Sequence, residues 1–87
     1  MSGEEDAPPI DFNMLVLSLS TSTLMHLGEL EGEDGTRSAP NLPLARQSIE
    51  LLLILEEKTK GNLTGEEERL LSGVLYELRL KYAEARG

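Results

Sequence analysis

The stretch from Phe12 to Leu27, FNMLVLSLSTSTLMHL, limits the possible folds more than any other part of the chain. Its only ionisable group is His26, in a chain of 87 residues of which 28% are charged. Plotted as a helix, Phe12, Met14, Leu15, Val16, Leu17, Leu19, Leu24, Met25 and Leu27 run all the way round and leave no wide polar face. The residues between them are mostly small hydroxyls: Ser18, Ser20, Thr21, Ser22 and Thr23. A Ser or Thr hydroxyl can bond back to a carbonyl one turn earlier, so burying it costs little. Ser18 and Ser22 also have the spacing that lets a second helix approach closely. A strand over Leu15–Leu19 competes with this reading, because LVLSL partly alternates and Val favours strands. The Leu and Met content and the signals at both ends favour a helix.

Those end signals are specific. Asp11 is a natural N-cap, and Ile10 and Leu15 occupy the positions of a hydrophobic staple across the first turn. Gly28 suits the left-handed position just past a helix end. A helix over about 12–27 follows, preceded by an acidic tail at 1–10 that is expected to be flexible. Residues 11–85 then form one small helical domain, with a solvated loop at about 28–40.

The second helix is expected at about 43–60. Pro43 fits its first turn, Leu42 fits the cap position, and Gly61 fits the stop. Leu44, Ala45, Ile49, Leu51, Leu52, Leu53 and Leu55 cover about half of its circumference, and Ile54 falls among the charges opposite. Arg46 with Glu50, and Glu56 with Lys60, are candidate i,i+4 pairs. Gly61-Asn62-Leu63 is a tight connection that predicts an antiparallel hairpin with a third helix at about 65–85. Thr64 and Glu67 have the spacing of a capping box, and Glu66, Glu67 and Glu68 oppose the positive end of the helix dipole. Leu70, Leu71, Val74, Leu75, Leu78, Tyr82 and Ala85 make the apolar stripe of this helix, with Tyr76 and Leu80 on the opposite side. The fold class is all-α, with three helices.

Charge and composition exclude several functions. The net charge is −8, and all eight Lys and Arg lie from Arg37 onward. Nucleic acid is disfavoured, since its binding requires cations that displace phosphate counterions. An anionic membrane surface is disfavoured for the same reason. Phe12–Leu27 is 16 residues, about 24 Å as a helix against a hydrocarbon core of about 30 Å. Seven of the 16 are Asn, Ser, Thr or His, which further argues against a membrane span. The acidic N-terminus does not resemble a secretory signal, and a cytoplasmic location is expected. There is no Cys and one His, so disulfides and the usual closed zinc sites cannot be built within one chain.

No catalytic signature is present. His26 is the obvious candidate base or ligand, yet a helix-end His whose charge complements the dipole explains it more simply. Glu56-Glu57 and Glu66-Glu67-Glu68 read as solvated faces and caps. Arg46 and Gln47 could hold an anion, but an exposed pair is the simpler reading. Tyr76 fits a partner surface and an exposed aromatic equally well. No cofactor or metal is expected, and the chain is read as no enzyme.

Two blocks, Asp11-Phe12 through VLSLSTSTLMHLGE and NLPLARQSIELLLILEEKTKGNLTGEEERLLSGVLYELRLKY, together resemble a family of short bacterial proteins, domain of unknown function 1844. Asn41 to Thr64, with NLPLARQ and LEEKTKGNLT, is the most distinctive part. The resemblance implies a bacterial source and a small all-helical domain. It brings no activity and no catalytic residues.

A count of surfaces gives the functional expectation. Three helices in one chain can each cover only part of one another, which would leave large side chains of the first helix wet at roughly 1.5–3 kcal/mol each. An exposed patch of that size marks an interface. A homo-oligomer is expected, most simply a dimer, with the first helix central. Phe12, Leu15, Val16, Leu19, Ser22 and Met25 are assigned to the interface, with Tyr76 and Leu80 from the third helix. The expected function is a non-enzymatic, self-associating interaction or scaffold module, with another protein as a possible partner. The alternatives are a peripheral membrane-associated subunit and a small ligand-binding dimer with a pocket between subunits.

Overall fold

The computed structural model describes residues 9–32, 34–37 and 39–87. They form three helices: α1 (Phe12–His26), α2 (Leu42–Lys58) and α3 (Gly65–Arg86). All three pack against one another. The acidic tail expected at 1–10 falls outside the described residues except for Pro9 and Ile10.

Each helix end has an identifiable cause. The Asp11 side chain accepts from the Met14 N–H at 2.8 Å and starts α1. At the other end Gly28 has φ 75°. Its N–H donates to the Met25 carbonyl at 3.0 Å, while the Glu29 N–H donates to the Leu24 carbonyl at 2.9 Å. These two bonds make a Schellman ending. The staple does not form: Ile10 is 78% exposed.

α2 starts one residue earlier than the proline rule suggests. Asn41, not Leu42, is the cap, and its side chain accepts from the Leu44 N–H at 3.2 Å. A cap needs a side-chain oxygen aimed at free amides, which Leu cannot supply. The helix ends at Lys58, and Gly61 at φ 83° turns the chain towards α3. Both halves of the capping box are present, Glu67 N–H to Thr64 Oγ1 at 3.1 Å and Thr64 N–H to Glu67 Oε1 at 2.9 Å.

The core draws Val16 from α1, Ile49 and Leu52 from α2, and Leu71, Leu75 and Leu78 from α3. Small buried residues line the approach of α1 to α2: Thr23, Ala45 and Ser48. Thr23 is fully enclosed and bonds back to the Leu19 carbonyl at 2.8 Å, so its hydroxyl carries no desolvation penalty.

The loop from Gly28 to Pro40 has internal order. Glu31 and Arg37 form an antiparallel bridge, and the Gly32 N–H donates to the Thr36 carbonyl at 2.7 Å. Asp34 Oδ1 accepts from both the amide and the hydroxyl of Thr36, at 3.1 and 2.7 Å. The loop thus folds as a small hairpin.

Two links hold the loop's ends to the bundle. The Asn41 N–H donates to the His26 carbonyl at 2.7 Å, and Lys81 Nζ lies 3.8 Å from Glu29 Oε1. The first sets the end of α1 beside the start of α2, so these helices run antiparallel. The second sets the end of α1 beside the later part of α3.

Candidate interaction surface

Each helix must bury one side, and the question is what it shows to water on the other. α1 buries Val16, Thr23 and Leu27, with Phe12, Leu19 and Leu24 half-buried at the margins. Asn13, Met14, Leu15, Leu17, Ser18, Thr21, Ser22 and Met25 are exposed. That outer surface carries no charged side chain. Met14, Leu17, Ser18 and Thr21, with Asp11 and Asn13 at the edge, line a shallow depression of about 340 Å³.

The interface residues assigned from the sequence divide into four groups. Leu15, Ser22 and Met25 lie on the exposed side of α1. Phe12 and Leu19 are half-buried and pack on the core. Val16 is fully enclosed by the chain's own helices and cannot meet a second copy, which is a correction to its assignment. Its place on α1, one turn from Phe12 and two turns from Thr23 along the same side, faces the α2–α3 pair. Tyr76 and Leu80 are exposed but apart from α1. They line a groove of about 420 Å³ with Ser72, Arg79 and Ala83, and Glu56 of α2 closes its other side.

α2 departs most from its expected pattern. Its apolar half-circumference splits in two: Ala45, Ser48, Ile49 and Leu52 turn inward, while Leu44 and Leu51 turn out at 42% and 52% exposure. Ile54, at 56%, joins them. Leu44, Gln47, Leu51, Ile54 and Lys58 recur in alternating steps of three and four, the spacing of a helix–helix seam. This second apolar strip escaped the sequence reading. Its signal was that alternating spacing, set against the Ala45-Ser48-Leu52 line of smaller residues.

Ion pairs occupy the other flanks. Arg46 Nε lies 3.9 Å from Glu50 Oε2, as expected. Lys60 pairs with Glu57 at 3.7 Å, where Glu56 was expected; Glu56 instead turns towards α3. Pairs this exposed contribute about 0–1 kcal/mol each.

His26 is half-buried at the end of α1 and lines an open depression of about 370 Å³ with Ser22, Met25, Ala39 and Asn41. Among the described residues no carboxylate lines it. Among the described residues no group of three or more His, Asp or Glu is placed to hold a metal ion. No helix among them is long and apolar enough to cross a membrane.

The sharpest chemical feature of this surface is therefore an apolar exterior. A family model described as Domain of unknown function (DUF1844) matches residues 9–84. The chain belongs to this family. No curated protein and no solved structure matches it. The DUF1844 match spans all of α1 and α2 and nearly all of α3, so both apolar strips lie within the family's domain.

Proposed function

We propose that this DUF1844 chain is a non-enzymatic, self-associating interaction module in which α1 is central. One observation supports the reading above all. In a chain of net charge −8, the exposed side of α1 has no charged residue and shows Met14, Leu15, Leu17 and Met25 at 38–57% exposure. Exposed apolar groups scattered singly are ordinary, but several on one helix with no charge among them mark a helix on part of which another protein docks. The protein's small size adds to this. A chain of this length removes only about two-thirds of its unfolded surface from water on its own, and association supplies the remaining burial.

Light scattering after gel filtration at micromolar concentration tests the reading. The expected mass is that of two or more 9.6 kDa chains. A single-chain mass at every concentration would overturn it.

A further inference from the structure

We infer that the self-association surface is the combined outer face of α1 and α2, and that its occupant is the same face of a second copy, giving a four-helix layer with both α3 helices outside. The inference rests on the self-association reading above and specifies its geometry.

The three helices leave three outward faces, one between each pair. Two of them are charged. The α2–α3 face carries Glu56 and Arg79 in the Tyr76 groove, and helical spacing sets Arg46, Glu50 and Glu57 along its α2 side. The α1–α3 face is bounded by the Lys81–Glu29 pair, and helical spacing sets Glu77 and Glu84 along it. The α1–α2 face differs. Its α1 edge is identified by the depression that joins Ser22, Met25 and His26 to Asn41, at the start of α2. Leu15 and Ser18 continue that edge towards the start of α1. Opposite them run Leu44, Gln47, Leu51 and Ile54. Glu31 stands beside Met25 at one end of this face and Lys58 at the other, and no Asp, Glu, Lys or Arg of α1 or α2 interrupts it between them.

Charge and area select a second copy. Each chain carries net −8, so two copies repel wherever they meet through acidic surface. The α1–α2 face carries charge only at its two ends, Glu31 and Lys58. A two-fold contact sets a face against itself, and a face that is apolar between its charged ends is self-complementary there without any matching of opposite charges. A cationic partner would be drawn to the acidic faces instead. Area points the same way. α1 alone, about 22 Å long and one helix wide, projects roughly 220 Å², far below the about 800 Å² per partner of a stable complex. α1 and α2 together project roughly 500 Å², more than twice as much, and so come closer to that requirement.

Sedimentation equilibrium on the full chain tests the assignment with four exposed-site variants: Leu51→Glu and Ile54→Glu on the proposed face, Leu17→Glu on the other side of α1, and Tyr76→Glu on α3. Circular dichroism confirms that each retains its helices. The wild type, Leu17→Glu and Tyr76→Glu are expected to be dimeric. Leu51→Glu should raise the dissociation constant at least about tenfold, since it would bury an unpaired charge, and Ile54→Glu, which Lys58 one turn on can partly neutralise, should raise it less. If the wild type dimerises but Leu51→Glu leaves the dimer intact, or Leu17→Glu or Tyr76→Glu dissociates it as strongly, the face is wrongly assigned and self-association stands. If the wild type is a monomer throughout, both readings fall.

Discussion

The backbone N–H of Asn41 donates to the carbonyl of His26 at 2.7 Å, so the residue that caps α2 also closes off the end of α1. The Asn41 side chain meanwhile accepts from the Leu44 N–H. One residue thereby sets the antiparallel arrangement of the two helices whose outer sides make the apolar face. Asn41→Ala keeps the backbone bond and loses the cap. It should lower stability by about 1 kcal/mol in urea unfolding, and Asn41→Asp should recover most of the loss.

Leu51 and Leu52 are adjacent in the chain and opposite in environment, at 52% and 0% exposure. Leu52→Ala empties part of the core and should cost about 2–5 kcal/mol. Leu51→Ala should cost less than about 1 kcal/mol once unfolding curves are extrapolated to dilute chain. At higher concentration the Leu51→Ala deficit should grow, because stability drawn from association depends on concentration. Urea titrations followed by circular dichroism across a concentration series would show both effects.

Two glycines should respond to Ala in opposite directions. Gly28 holds φ 75° in the Schellman ending, where a Cβ costs about 1–2 kcal/mol. Gly73 lies inside α3, and nothing is within 4 Å of where its Cβ would stand. Gly73→Ala should therefore stabilise the protein by about 0.5–1 kcal/mol. Thermal unfolding midpoints of the two variants, against the parent, should move apart.

Asp34 gives a pH signature. Chiefly the Thr36 hydroxyl, and then the Thr36 amide, bonds its carboxylate and holds its pKa below the ordinary 3.8. Because the folded value is lowered, whatever the ionised carboxylate adds to the turn is complete above the ordinary range. It is lost as pH falls through the lowered value. The Thr36 amide resonance should titrate with a midpoint below 3.8, and Thr36→Val should move that midpoint upward by removing the larger of the two bonds.

Local chemistry was readable where it depends on neighbours in the chain. The Asp11 cap, the Gly28 ending and the Thr64–Glu67 box each involve residues three to five apart, and each formed where its sequence signal lay. The Ile10–Leu15 staple and a Leu42 cap, equally local, did not form, and beyond chain neighbours what escaped was rotation about the helix axis. On α2 the apolar residues cover more of the circumference than two neighbours can bury. Which of them turn inward depends on where a neighbouring helix can come close, and Ala45 and Ser48 provide that place. Leu44 and Leu51 are left outside as a result. Val16 shows the converse: α1 is apolar all round, and only the position of the α2–α3 pair distinguishes the enclosed Val16 from the open Leu17.

The small hairpin between α1 and α2 has one further consequence. Its bonds, Glu31 to Arg37, Gly32 to Thr36 and Thr36 to Asp34, all close within the hairpin itself. The bundle is held from outside it, by Glu29 and Asn41. The tip between Gly32 and Thr36 can therefore lengthen or shorten without either anchor moving. Residues inserted at this tip are expected to leave the spacing of the three helices unchanged.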